Sequence, residues 1–469
     1  MRKTKIVCTL GPATDGIDIL KSLIDAGMSV ARFNMAHGDY AEHQKRIDDV
    51  KKVREILGVP VGIMVDIKGP EVRTGKVETP IPVNEGDNFI FTSDVIEAKG
   101  NRCSITYPKI HEDVKAGGLI LLNDGLLAMR IEKVEGHDIY CKVLGKGFIG
   151  DHKNMHFPDA HLNIPFIREK DINDMDFALK NQVEYIAASF VSRASEVREV
   201  RQYLDSHGGD EIDIIAKIEN REGVDNIESI LEESEGIMVA RGDLGVEIPI
   251  EEIPNIQKKL LKKCYLCGKR AITATEMLES MTNNARPTRA EVSDVANAVY
   301  DGTSAVMLSG ETSIGKHPID VVKTMAKICV QAENNIDYVK QFRNLNVNIA
   351  NISDAVSHSS VSAAHDLNAK VIVVCSSSGR TARLVSRFRP VTPILCLTPS
   401  KVRYEQLALS WGVTPVLVKT YQSIEEIASK AKERAVKEKF ARTGDVLVIT
   451  AGTSSASDGT NLMRIESIK

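Results

Sequence analysis

Lys217 and Glu219 stand two apart in the β-branched run of residues 212–219, so on a strand their side chains share one face and set an ammonium beside a carboxylate. Asp243 follows the next such run, between Gly242 and Gly245. From adjacent strands, Glu219 and Asp243 suit one shared hard cation, with water and substrate oxygens completing the octahedron that Mg²⁺ prefers. The two glycines let backbone N–H groups approach an anion such as a carboxylate. Arg32-Phe33-Asn34, Asp66-Ile67-Lys68, Thr275-Glu276 and Ser309-Gly310-Glu311 each end a run of the same kind. A divalent cation flanked by Lys and Arg is equipment for stabilising charge on a phosphoryl group in transit. Taken singly, each residue also suits a structural ring of ion pairs; together they put cations, carboxylates and hydroxyls on one rim.

Such a rim needs elements that end side by side. Short β-branched runs at residues 5–10, 29–34 and 61–66 alternate with amphipathic stretches at 17–24 and 41–57, the signature of βα units and a parallel sheet. The rhythm stops at Gly69-Pro70. Between about 70 and 168 turn signals and strand-like runs at 89–91, 119–122, 126–131 and 139–143 dominate, with turns at Asn123-Asp124-Gly125 and 135–138, which predicts an inserted small β-barrel domain. Five further runs, at 185–190, 212–219, 237–241, 271–275 and 305–309, bring the count to eight, the arithmetic of a (β/α)₈ TIM barrel, whose chemistry sits at the C-terminal strand ends. A fresh series at 371–375, 393–397, 413–417 and 446–450 predicts a C-terminal α/β domain. The expected division is 1–69 with 169–345 for the barrel, 70–168 for the insertion and 346–469 for the last domain. Thr288 and Glu291 form a capping box and are assigned to a helix start.

Composition limits the alternatives. The chain has 469 residues, too many for one core, and with 43% hydrophobic and 26% charged residues it is ordinary globular material. Sixty basic against 64 acidic residues leave a net charge of −4, with no global cationic footprint for nucleic acid or a membrane surface. No signal peptide or membrane-spanning run is read, so a cytoplasmic protein is expected. The 8 cysteines read as reduced core residues, Cys264 and Cys267 included, since no second pair at zinc spacing accompanies them.

At the level of whole motifs the chain resembles the pyruvate kinases. The resemblance is carried in order by residues 8–12, 68–73, 215–220, 240–249, 276–281, 286–294 and 306–312, and covers essentially the whole sequence. It implies phosphoryl transfer from phosphoenolpyruvate to ADP, giving ATP and, after protonation of enolpyruvate, pyruvate, the last step of glycolysis. On that basis Lys217 stabilises the phosphoryl group, Arg32 binds it, Glu219 and Asp243 hold Mg²⁺, the backbone at Gly242 and Asp243 receives the substrate carboxylate, and Thr275 faces the enolate where a water-borne proton arrives. His37, Arg73 and, from the insertion acting as a lid, Lys153 contact nucleotide phosphates, with Asn34 beside them. Asn34, Asp66 and the Ile67 carbonyl are the implied K⁺ ligands, accompanied by Glu71. A homotetramer is expected from the family alone; with the sequence stopping at Lys469, the additional C-terminal domain of some bacterial members is not expected.

Two departures stand out. Ala36 replaces the family's usual serine and has no oxygen to give K⁺, so weaker K⁺ binding with a water in the hydroxyl's place is expected. Residues 154–159, Asn-Met-His-Phe-Pro-Asp, replace Gly-Val-Asn-Leu-Pro-Gly in the lid and put its contacts in question. In the last domain Ser376, Ser377, Ser378, Gly379, Arg380 and Thr381 lie between a strand and a helix, where hydroxyls and backbone N–H groups make a phosphate nest; the plain alternative is a capped polar turn. The loop resembles the effector-phosphate site of allosteric pyruvate kinases, with residues 452–459 as its facing loop. Two other functions use similar residues: a Mg²⁺-dependent lyase or aldolase acting on pyruvate enolates, and a non-catalytic phosphometabolite sensor.

Overall fold

The computed structural model describes residues 1–469 apart from Asp124, Gln422 and residues 453–458. Eight parallel strands close into a barrel in simple chain order: Lys5–Thr9, Val30–Asn34, Gly62–Ile67, Tyr185–Ala188, Asp213–Ile218, Gly236–Ala240, Arg270–Ala274 and Ala305–Leu308. Local chemistry sets the intervening helices. Asp39 Oδ1 accepts from Glu42 N at 2.8 Å to start helix Tyr40–Leu57, and Gly27 (φ +125°) and Gly58 (φ +63°) end the first two helices in conformations that a side chain resists. Thr288 Oγ1 and Glu291 form the expected reciprocal cap of helix Arg289–Tyr300.

Two apolar layers hold the barrel. Val7, Val30, Met64, Ile215, Met238 and Ile272 fill its interior, while outward residues such as Ile6, Ile63, Ile214 and Val306 pack under the helices. Leu409 from the C-terminal unit completes the inner cluster. It enters from the end of the barrel opposite the catalytic rim, where Glu405 Oε2 accepts from Val61 N at 2.9 Å.

The insertion is a seven-stranded, mostly antiparallel sheet plus a two-stranded ribbon, with its own core. Its two edge strands, Val72–Arg73 and Arg102–Ser104, meet through a bridge between Thr74 and Ile105, and Thr106 N donates to Arg73 O at 2.9 Å. The sheet thus curls round on itself. Its shortest strands, such as Asn154–His156, are too brief to leave a period in the sequence; part of the turn expected at 123–125 falls outside the described residues.

The C-terminal unit is a five-stranded sheet. Its four expected strands are parallel, and a fifth, Leu462–Ser467, adds antiparallel to Val446–Ala451. Phe342, in helix Tyr338–Arg343, already belongs to this core. Among the described residues, no helix is long and apolar enough to cross a membrane. Cys267 departs from the core-cysteine expectation: it is exposed, capping the helix in which Cys264 is buried.

Candidate active site

The strand ends and the lid enclose one cavity of about 980 Å³. Arg32, Asn34, Ile67, Lys217, Glu219 and Thr275 reach it from the barrel, Ala36 and His37 from the loop after strand two, and Asp243 from helix Arg241–Glu247 after strand six. Arg73 and Lys153 reach it from the insertion. Asp66 lies beneath, 1% exposed, and Gly242 sits behind Thr275, so every rim residue expected to act there is brought to one place.

Asp66 is the hub. Its Oδ2 accepts from Arg32 Nε at 2.7 Å, and its Oδ1 accepts from Ser189 Oγ at 3.1 Å and faces Lys217 Nζ at 3.3 Å. Burial favours its neutral form, but Arg32 and Lys217 outweigh that and hold the carboxyl below its ordinary range. Burial likewise works against the charge of Lys217, and Asp66 and then Glu219 overcome it, raising the ammonium above the ordinary lysine range. Glu219 behaves oppositely. Burial, with Asp243 nearby, raises it above the ordinary carboxylate range in spite of Lys217. The asymmetry has a simple cause: Lys217 is shared between two carboxylates, and Asp66 has Arg32 as well.

Glu219 Oε2 accepts from Phe190 N at 2.6 Å, whereas Oε1 lies 3.0 Å from Lys217 Nζ and accepts no hydrogen bond. A buried carboxylate oxygen that meets only an ammonium, with a second carboxylate close enough to raise its pKa, is a donor set that a hard divalent cation satisfies. Among the described residues no group of three or more His, Cys, Asp or Glu is placed to hold a metal; two protein carboxylates leave the other positions to water and substrate oxygens. The K⁺ set fits less well. Asp66 has its accepting sites taken by Arg32, Ser189 and Lys217, Asn34 Oδ1 already accepts from Ala36 N at 3.1 Å, and Ala36 offers no side-chain oxygen.

The sequence reading took no polar residue from the ends of strands one and four, and both supply one. Thr9 Oγ1 accepts from Arg32 Nη1 at 2.8 Å. Ser189 Oγ accepts from Lys217 Nζ at 2.7 Å while donating to Asp66. Completing the survey of all eight strand ends would have found them, although a lone hydroxyl carries little signal. Ser309 Oγ, named in that survey, lines the cavity, buried and without a hydrogen-bond partner among the described residues.

Thr275 (φ +67°) and Glu276 (φ +53°) leave strand seven in the left-handed region, rare for any side chain and rarer for a β-branched one. Arg241 holds this turn, its Nη2 donating to Thr275 O at 2.7 Å and its Nη1 ion-paired to Asp294 at 2.6 Å. Thr275 Oγ1 donates to Ala274 O at 2.6 Å and accepts from Gly242 N at 2.7 Å. The hydroxyl proton is therefore committed to the backbone.

On the lid side, Arg73 Nη2 pairs with Glu71 at 2.7 Å, and Lys68 reaches the same oxygen at 3.3 Å. Lys153 is anchored through its backbone to Thr74, with its side chain exposed. His37 is exposed, and its carbonyl faces His43 Nε2 at 2.8 Å. The unusual 154–159 segment is well fixed: Met155 and Phe157 enter the lid core, His156 Nδ1 lies 3.3 Å from Glu247 on the helix that carries Asp243, and Asp159 accepts from Leu119 N at 3.1 Å.

Far from this cavity, Ser376–Gly379 links strand Val371–Cys375 to helix Arg380–Ser386, with Gly379 at φ +70°. Ser377, Ser378 and Arg380 are exposed, and Thr381 Oγ1 hydrogen-bonds Thr460 Oγ1. Most of the facing loop expected at 452–459 lies outside the described residues.

Known proteins share this arrangement. The family model for the pyruvate kinase barrel domain matches residues 1–322, and that for the pyruvate kinase alpha/beta domain matches 354–466. A pyruvate kinase from Clostridium acetobutylicum is 44% identical over 473 residues, spanning 100% of both chains. One from Bacillus licheniformis is 44% identical over 470 residues, covering 99% of this chain and 80% of its own. The crystal structure of a pyruvate kinase from Cryptosporidium parvum superposes with a TM-score of 0.95 at 40% identity, over 100% of this chain and 96% of that one.

Proposed function

The chain belongs to the pyruvate kinase family and is a phosphotransferase, and on that premise we propose that it moves the phosphoryl group of phosphoenolpyruvate to ADP in a Mg²⁺-dependent step. The observation that carries the reading is the buried cluster of Arg32, Asp66, Ser189, Lys217 and Glu219 at the floor of the cavity. Lys217, held protonated, donates to the phosphoryl oxygens as charge builds on them, and Arg32, fixed by Asp66 and Thr9, grips the same group from the other side. Glu219 and Asp243 would hold Mg²⁺, which supplies charge neutralisation for substrate and phosphoryl oxygens. The backbone at Gly242 and Asp243 receives the substrate carboxylate. With its own proton bound to Ala274 O, Thr275 orients a water that protonates the enolate. Asn34, His37, Arg73 and Lys153 border the outer cavity, where the nucleotide phosphates would lie, and the insertion excludes water as a lid.

K⁺ is proposed as a weak activator, in keeping with the occupied oxygens of Asp66 and Asn34 and the missing hydroxyl at Ala36. The segment Ser376, Ser377, Ser378, Gly379, Arg380 and Thr381 is proposed to take a phosphorylated effector. The barrel (1–69 with 169–345), lid (70–168) and effector unit (346–469) are proposed as the working divisions, and a cytoplasmic homotetramer acting at the end of glycolysis as the working form. Coupled measurement of ATP from phosphoenolpyruvate and ADP tests the reading: formation that needs both ADP and Mg²⁺ supports it, and release of pyruvate without ADP would point to a lyase instead.

A further inference from the structure

Where the C-terminal unit meets the barrel, opposite the catalytic rim, is a pinched cavity with about 10 Å³ of room for the centre of a water-sized sphere, space for one small occupant. Five cations border it: Lys269 and Arg270 from the barrel side and Arg383, Arg387 and Arg389 from the C-terminal unit, with no carboxylate among the described residues of its lining. Among the described residues only Arg270, with Asp213 at 2.7 Å, and Arg387, with Asp354 at 3.0 Å, are ion-paired. Arg389 is satisfied in part, donating to Gly302 O at 2.8 Å and lying over the Trp411 ring at 4.7 Å. Burial pushes Arg383 and Arg389 down to about 10, Asp213 offsetting only part of it for Arg383 and Glu333 only part for Arg389.

Several unsatisfied polar atoms gather in this one lining. Among the described residues Arg270 Nη1, Arg387 Nε, Arg389 Nε and Ser410 Oγ are each buried without a hydrogen-bond partner, on side chains between 1% and 9% exposed. Orphaned buried donors are rare and costly, and several on one cavity call for a common acceptor. Guanidinium groups donate and never accept, so among the side chains here a water could give its own protons only to hydroxyls such as Ser410 Oγ, whereas an anion accepts from every donor.

We propose that this cavity binds a single chloride-sized anion that fastens the C-terminal unit to the barrel. The anion accepts from the orphaned donors of both sides and offsets the excess positive charge between them. Helix Arg380–Ser386, which contributes Arg383, begins at the Ser376–Gly379 loop, so occupancy also steadies that loop's support.

Two measurements on the full-length protein decide the matter. Crystals soaked in sodium bromide and measured at the bromine edge should show an anomalous peak in this cavity, beside Arg389 and Ser410; a cavity without one overturns the proposal. In solution, the melting temperature should be a few degrees higher in chloride than in the bulkier methanesulfonate at equal ionic strength. That excess should vanish in Arg389→Gln and shrink in the milder Ser410→Ala. Equal melting temperatures of the native chain in the two salts, or an excess that survives both substitutions, would also overturn it.

Discussion

Lys217 Nζ donates to Ser189 Oγ at 2.7 Å, and the serine in turn donates to Asp66. Ser189 is thereby a positioning residue: it aims the ammonium at the cavity while Asp66 and Glu219 keep it charged. Ser189→Ala should leave the fold intact and lower kcat by about tenfold to a hundredfold, the scale of one hydrogen bond to a charged group. Steady-state kinetics check this, and an unchanged kcat would remove Ser189 from the account.

Thr275 is held at φ +67° with both hydrogen-bonding functions of its hydroxyl in use. Thr275→Ser keeps those bonds and should retain most activity. Thr275→Ala removes the acceptor of Gly242 N and the group that orients water, so kcat should drop at least about tenfold. Comparable rates for the two variants would contradict the assigned role.

How far these groups were legible in the sequence differs for physical reasons. Lys217 and Glu219 announced themselves because a strand's period of two fixes their common face, and Asp243 because glycines flank it. The eight barrel strands were legible because each is a short, largely buried apolar run, most of them set between helical stretches. Ser189 and Thr9 were not, since a single hydroxyl at a strand end has many ordinary uses. Nor was the left-handed turn at Thr275, which no local preference of a β-branched residue predicts and which Arg241 imposes from the start of the helix after the adjacent strand. The lid strands of two or three residues leave no period at all, and the approach of His156 to Glu247 joins segments 91 residues apart.

Ala36 gives the K⁺ reading its own check. Turnover should rise with added K⁺ at saturating substrates, and Ala36→Ser, by restoring an oxygen beside Asn34, should reduce the K⁺ concentration needed for half-activation. Equal turnover with and without K⁺ in the native chain would remove K⁺ from the account.

Glu405 ties the C-terminal unit to the barrel through Val61 N, and burial raises its carboxyl from 4.5 to about 7 despite Arg54. A carboxyl that holds its proton more tightly when folded contributes stability in full below about pH 4.5 and loses it as pH rises through about 7. The melting temperature of the native chain should therefore fall, relative to Glu405→Gln, between pH 5 and 8. Parallel melting curves across that range would show that Glu405 is ionised throughout.

Lys217, set between Asp66 and Glu219, is proposed to stabilise the phosphoryl group on its way from phosphoenolpyruvate to ADP. The most direct measurement follows pyruvate and ATP together, in the native protein and in Lys217→Met, with Mg²⁺ present and the fold of both checked by circular dichroism. The account predicts one ATP for each pyruvate in the native protein and a loss of about a thousandfold or more in the variant. Pyruvate formed without ATP, or a Lys217→Met protein that keeps the native rate, would contradict it.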